Sequence, residues 1–89
     1  MPATIKIGAA TGHAKNDIVL WLNDYVDPMI HSDSVINGYD YRGKTWYARW
    51  RHFGGGWFMD VTFLDNNIAA LFKLRWGGKT VAVNTVPNS

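Results

Sequence analysis

The sequence predicts a single α+β domain, residues 1–89, in which one short N-terminal helix, about residues 16–26, precedes an antiparallel sheet over residues 35–86. Apolar residues recur at helical spacing before residue 27, whereas short aromatic or β-branched runs alternate with turn-forming pairs after residue 35. All seven acidic residues are Asp, and Glu, a favoured residue of solvent-exposed helices, is absent. A chain of this length has room for one hydrophobic core.

The predicted helix follows an N-terminal segment, residues 1–12, that is rich in small residues. Asn16 is a suitable N-cap residue, and Asp27-Pro28 ends the pattern because the residue before a proline avoids the helical conformation. The apolar residues that recur at helical spacing are Ile18, Trp21, Leu22, Tyr25 and Val26. The apolar run 18–22 also fits a buried strand, which is the alternative interpretation of this segment.

The predicted sheet is a meander of four to five antiparallel strands. Four pairs suit tight turns: Arg42-Gly43, Gly54-Gly55, Asn66-Asn67 and Gly77-Gly78. A two-residue turn at Gly54-Gly55 places Trp50 opposite Met59, and it places other apolar side chains on the same face. The later turns bring the apolar residues of two further strands to that face, and this agreement favours the meander.

The remaining turn adds a fifth strand. Residues 35–41 join the sheet through Arg42-Gly43, so that Tyr39 is expected beside Trp46 on the apolar face. A single helix about 10 Å across covers only part of four strands spaced about 4.8 Å apart. We therefore expect the sheet to curl into a partial barrel, or another segment or chain to cover it.

The opposite face of the predicted sheet carries charged and aromatic side chains. Asp60 is expected between Arg49 and Lys73, because opposite charges on neighbouring strands stabilise a sheet. The residues predicted to bind a partner are Tyr47, Arg49, Arg51, Phe58, Lys73 and Arg75. Since apolar side chains also occur on this face, the sheet is expected to bind protein and to form a homo-oligomer within a larger assembly.

No residue pattern predicts a catalytic, cofactor or metal site, so the chain is expected not to be an enzyme. The chain has no Cys, and its three His residues show no metal-ligand spacing. The glycines at 54–56 lack the Lys-Ser/Thr that completes a phosphate-binding loop. No signal-peptide pattern and no apolar run of about 18 residues is present, so we expect no membrane segment.

Residues 46–52 alternate aromatic and basic side chains, as single-stranded nucleic-acid binders do. In the predicted register, however, Trp46 and Trp50 point to the face opposite Arg49 and Arg51. The formal net charge of +2 is also low for a dedicated phosphate binder. Nucleic-acid binding is therefore the least favoured of the hypotheses.

Three pieces of residues 41–78 carry a family resemblance. They are the turn and strand 41–51, the sequence Trp57-Phe58-Met59-Asp60-Val61, and the turn 65–67 before an apolar run. Together they resemble the small baseplate plug proteins of contractile-tailed phages, in which an aromatic and Arg-bearing strand precedes W-[FY]-[LM]-D-[IVL], a turn and a final strand. Here Asn-Asn replaces the usual Asp-Gly turn. The resemblance implies a structural tail or baseplate protein, present in several copies and contacting hub or tube proteins.

Two other functions fit the same sequence. A small phage- or plasmid-encoded inhibitor of a host defence or regulatory protein would also be compact and lack catalytic motifs. A single-stranded nucleic-acid binder is the second alternative. The expected location is the virion, or the host cytoplasm when the protein is free.

Overall fold

A computed structural model describes residues 2–81 as one antiparallel sheet with two helices, which confirms the α+β class. The strands are β1 Ala3–Gly8, β2 His31–Val35, β3 Gly38–Arg42, β4 Trp46–Phe53, β5 Gly56–Phe63 and β6 Lys79–Val81. The helices are α1 Gly12–Trp21, which continues as a π-helical segment Leu22–Val26, and α2 Asn66–Trp76. The sheet is open and does not close into a barrel.

The strand order is β2-β3-β4-β5-β1-β6. Strands β2 to β5 form a four-stranded meander, and β1 lies between β5 and β6. Without the β2–β3 hairpin, the elements follow the β-α-β-β-α-β order of two interlocked split β-α-β units. Both helices pack on one face of the sheet, hereafter the core face.

The N-terminal helix is confirmed, but it begins earlier than predicted. Thr11, not Asn16, is the N-cap: its side-chain oxygen accepts a hydrogen bond from the Ala14 amide at 3.2 Å. The helical segment ends at Val26, as the Asp27-Pro28 signal predicts. The alternative strand at 18–22 is wrong, because these residues belong to the helix.

The strand predicted after Asn66-Asn67 is wrong, because these residues begin helix α2. The Asp65 carboxylate accepts a hydrogen bond from the Asn67 amide at 2.8 Å and caps the helix. The apolar residues that face the core then recur at helical spacing: Ile68, Ala69, Phe72 and Trp76. Leu74, predicted to lie on the apolar face, is 85% exposed.

Strand β1 occupies the position beside β5 that was predicted for residues 68–76. In this register Lys6 pairs with Asp60. Asp60 therefore lies between Arg49 and Lys6, so its predicted pairing with Arg49 is confirmed and its pairing with Lys73 is wrong. Residues 77–78 link α2 to β6, which pairs with β1. The part of the predicted sheet over 82–86 lies outside the described residues.

The predicted register of the β4–β5 hairpin is confirmed at every pair, including Trp50 with Met59. Both Gly54 and Gly55 have positive φ, at 55° and 82°, as a type I′ turn requires. The strand predicted over 35–41 is only partly confirmed: residues 38–41 belong to β3, whereas Val35 ends β2, a strand that was not predicted. The turn predicted at Arg42-Gly43 is replaced by a loop of three residues, 43–45. Because the turn lies later in the chain than predicted, the pairing shifts by four residues, and Tyr39 pairs with Trp50 instead of Trp46.

The hydrophobic core lies between the core face and the two helices. The largest fully buried side chains are Ile5, Ile18, Leu22, Met59, Val61, Phe63 and Phe72. Trp46 and Trp50 are also buried, and each indole donates a hydrogen bond to a backbone carbonyl, of Asp27 and Ala10 respectively. These bonds satisfy the polar end of an otherwise apolar ring.

Candidate protein-binding face

The sheet face opposite the helices, hereafter the open face, is covered by no other element among residues 2–81. Strand alternation places on it one side chain in two from each strand. The principal residues of this face are Lys6, Asp40, Arg42, Tyr47, Arg49, Arg51, Phe53, Phe58, Asp60 and Thr62. These residues comprise four basic residues, two acidic residues and three aromatic rings, and Asp33 of β2, which pairs with Asp40, adds a third acidic residue to the face.

Two ion pairs organise the centre of the open face. Arg49 Nη2 lies 3.0 Å from Asp60 Oδ2, and Arg51 Nη2 lies 2.7 Å from Asp40 Oδ1. The Asp60 side chain is 16% exposed, whereas its partner Arg49 is 47% exposed. The Asp60 carboxylate thus lies beneath the Arg49 guanidinium, and an approaching partner meets Arg49 first.

Aromatic rings lie beside these charges. The rings of Phe53 and Phe58 stack with centroids 5.2 Å apart, and the Lys6 ammonium lies 4.3 Å from the Phe58 centroid. At the other end of the face, the Arg42 guanidinium lies 5.9 Å from the centroid of the Tyr47 ring. Cation–π contacts of this kind hold the long basic side chains over the sheet.

Four of the six residues predicted to bind a partner are brought together: Tyr47, Arg49, Arg51 and Phe58 share the open face. Lys73 and Arg75 do not lie on the open face, because they belong to α2 on the other side of the sheet. The Arg75 guanidinium lies 4.6 Å from the centroid of the Trp76 ring. The sequence prediction missed Lys6, although its position between Ile5 and Ile7 is the alternation of a strand with one polar face.

Tyr47 is the ionisable group of the open face whose pKa is clearly shifted. Burial raises the pKa of the Tyr47 phenol above its ordinary value, and the nearby negative charge of Asp40 raises it further. A hydrogen bond to Asp40 acts in the same direction, while Arg49 and Arg51 oppose it. The phenol therefore stays neutral over the physiological range and can donate a hydrogen bond.

We expect Tyr47→Phe to reduce the loss of stability at alkaline pH. Because the pKa is raised in the folded state, the native protein holds this proton at a pH where the unfolded chain releases it. The stabilisation is complete below pH 10.0 and is lost as the pH rises through the folded-state pKa. Urea unfolding between pH 9 and pH 11, at matched ionic strength, measures the difference. An identical pH dependence in both proteins would contradict the assignment.

The other polar side chains of the described chain do not form a metal site. Among residues 2–81, no group of three or more His, Cys, Asp or Glu side chains converges. His13 lies beside Asp17 in α1, at 3.9 Å, whereas His52 contacts the Trp57 ring at 4.6 Å between centroids. Within the same range, neither helix is long and apolar enough to cross a membrane.

Comparison of the chain with protein-family models, curated proteins and solved structures finds no match. The resemblance to baseplate plug proteins is therefore one of sequence pattern. Its central part, residues 46–61, lies in the β4–β5 hairpin, but the run that the pattern takes as a final strand is α2. Function must be inferred from the side chains themselves.

Proposed function

We propose that the chain is a non-catalytic protein that binds another protein through its open face, as one component of a larger assembly. The observation that supports this proposal is the position of both helices on the core face, with no described element over the other. An antiparallel sheet can leave one face in water, so an uncovered face alone is not sufficient. The exposed aromatic content is the additional argument.

That content is concentrated where a partner can reach it. Phe53 is 58% exposed and stacks on Phe58, and Tyr47 is half-buried. Leaving aromatic surface in water forfeits the free energy that its burial would contribute, about 25 cal/mol per Å². Aromatic and Arg side chains are also the residue types that contribute most to binding at protein interfaces.

The charge arrangement favours a protein over a nucleic acid. Arg49 and Arg51 are each already paired with a carboxylate. A phosphate would compete with Asp60 and Asp40 for these guanidinium groups and would lie close to their negative charge. A protein surface can instead contact the aromatic rings and leave both ion pairs intact.

The family resemblance supplies the setting of this proposal. It places the assembly in a phage tail or baseplate, with hub or tube proteins as the partners and the virion as the location. An inhibitor of a host protein would use the same face, and it differs only in what the face binds. One observation also favours nucleic acid as a second candidate, because Tyr47 and Phe58 share the open face with Arg49 and Arg51.

A matched pair of charge reversals tests the proposal. Arg49→Glu reverses a charge at the centre of the open face, and Lys73→Glu makes the same change on α2. We expect Arg49→Glu to weaken partner binding by about tenfold or more. The change reverses the charge that an approaching partner meets first, and it places a second carboxylate beside Asp60. Lys73→Glu is expected to change binding by less than about twofold.

The measurement is co-sedimentation of each variant with particles from lysed infected cells, followed by identification of crosslinked proteins. Loss of co-sedimentation with Lys73→Glu but not with Arg49→Glu would overturn the assignment of the face. Stoichiometric recovery of a host protein, with no virion protein, would favour the inhibitor. Tight binding to a labelled oligothymidine, with an affinity that falls steeply with salt, would favour the nucleic-acid candidate.

A further inference from the structure

A cleft of about 230 Å³ lies at one end of the open face, where the β3–β4 loop rises beside β5. Residues 43–45 form its wall, and its other lining residues are Arg42, Trp46, Tyr47, Thr62 and Leu64. We call this site the end cleft. It is continuous with the open face because Arg42, Tyr47 and Thr62 form one cross-strand row of that face.

The wall of the end cleft is held in place by hydrogen bonds. The Asp27 carboxylate accepts hydrogen bonds from the backbone amides of Lys44 and Thr45. The Gly43 amide donates to the Trp46 carbonyl at 3.0 Å, and the Leu64 amide donates to the Thr45 carbonyl at 3.1 Å. A wall that is already ordered loses little conformational entropy when a ligand binds.

The chemistry of the end cleft differs from that of the central open face. Its floor is apolar, formed by the Tyr47 ring and by Leu64, which is 60% exposed. Arg42 and Lys44 add two positive charges, and within residues 2–81 neither has an ion pair with a carboxylate. No acidic residue lines the cleft.

Three carboxylates lie near the cleft without lining it, and one of them, Asp27, is bound by the Lys44 and Thr45 amides of the wall. Asp33 and Asp40 line a separate depression on the other side of Arg42, together with His31. Asp40 is already paired with Arg51 at 2.7 Å. The end cleft therefore presents the side chains of Arg42 and Lys44, which have no ion pair among residues 2–81, directly beside an apolar floor.

We propose that the end cleft binds the C-terminal residue of the partner protein, with an apolar side chain on Tyr47 and Leu64 and the terminal carboxylate between Arg42 and Lys44. The two positive charges and the apolar floor are adjacent within one short cleft, so a ligand whose anionic and apolar groups lie close together fits it. Among unmodified residues, only one at a C-terminus carries a carboxylate and an apolar side chain on a single Cα. The proposal rests on protein binding by the open face and specifies the chemistry of the partner.

Titration of the ¹⁵N-labelled full chain with N-acetyl-L-phenylalanine tests this inference. We expect saturable shifts of the backbone amides at 43–47 and 62–64, with a dissociation constant in the millimolar range that is typical of a fragment. N-acetyl-L-phenylalaninamide, which lacks the carboxylate, is expected to bind at least about tenfold more weakly, as loss of one charged contact predicts. Arg42→Gln should weaken binding of the acid similarly, whereas Lys73→Gln on α2 should leave it unchanged.

Three results would overturn the inference: equal affinity for the acid and the amide, equally strong shifts of the same amides by inorganic phosphate, or no effect of Arg42→Gln. The two proposals can fail separately. If Arg49→Glu abolishes co-sedimentation but N-acetyl-L-phenylalanine does not bind, the open face binds protein and the end cleft is not a carboxylate site. If the acid binds but Arg49→Glu does not change co-sedimentation, the end cleft is a carboxylate site and the open face does not bind the partner.

Discussion

Replacing Phe72 with Ala is expected to lower the free energy of unfolding by about 3–5 kcal/mol, the usual cost of deleting a buried phenylalanine ring. Phe72 is fully buried, and its ring contacts those of Trp21, Phe63 and Trp76 at centroid distances of 5.9, 5.2 and 5.1 Å. It thus joins both helical segments to β5. The cavity left by the change cannot close without moving these elements.

Leu74→Ala is the matched control for this prediction. Both residues lie on one face if 68–76 is a strand, but in α2 they point in nearly opposite directions. Leu74 is 85% exposed, so its replacement is expected to cost less than about 0.5 kcal/mol. Urea unfolding followed by Trp fluorescence measures both changes. If Phe72→Ala does not fold, Phe72→Leu is used instead, because it lowers the free energy of unfolding by less. Equal losses of this free energy at positions 72 and 74 would contradict the helix.

Replacing Asp27 with Ala is expected to lower the free energy of unfolding by about 2–4 kcal/mol, because hydrogen bonds to a charged acceptor contribute about 1.5–3 kcal/mol each and do not add fully. The Asp27 carboxylate accepts hydrogen bonds from the amides of Lys44 and Thr45 and from the Thr45 hydroxyl. Its position also requires a glycine at 43, where a Cβ would collide with the Asp27 carboxylate and the Trp46 indole nitrogen. The loop and Asp27 are therefore one packed unit.

Asp24→Ala is the control here, because Asp24 is exposed and its carboxylate accepts one hydrogen bond, from the Asn23 side chain. Its replacement is expected to change stability by less than about 0.5 kcal/mol. Amide hydrogen exchange at Lys44 and Thr45 should accelerate in Asp27→Ala and not in Asp24→Ala. Similar stability losses in the two variants, or unchanged exchange at both amides, would show that Asp27 does not anchor the loop.

The candidate face could be predicted to the extent that it lies on the β4–β5 hairpin. The two glycines set the turn, and the alternation of two eight-residue strands then places Tyr47, Arg49 and Phe58 on one face. Lys73 and Arg75 were assigned to this face only because their segment was taken as a strand. The position of Lys6 between Ile5 and Ile7 indicates a strand, but its place beside Asp60 depends on pairing with residues more than fifty positions away.

Residues 66–76 show why local periodicity was not sufficient. Ala70, Phe72, Leu74 and Trp76 alternate as in a strand, whereas Ile68, Phe72 and Trp76 recur as in a helix. An apolar run of this length is ambiguous between the two structures. The ambiguity is resolved by tertiary structure: β1 occupies the edge of β5, and the Asp65 cap starts a helix that covers the core face.

The sequence by itself therefore determined the α+β class, the C-terminal end of the N-terminal helix and the β4–β5 hairpin, because each depends on spacings and turn residues that are adjacent in the chain. The tertiary structure decided the neighbour of β5, the helical state of residues 66–76, and the position of the end cleft. These features depend on contacts between distant segments, such as Lys6 with Asp60 and Asp27 with the β3–β4 loop. Their free energy is gained only when the whole sheet forms.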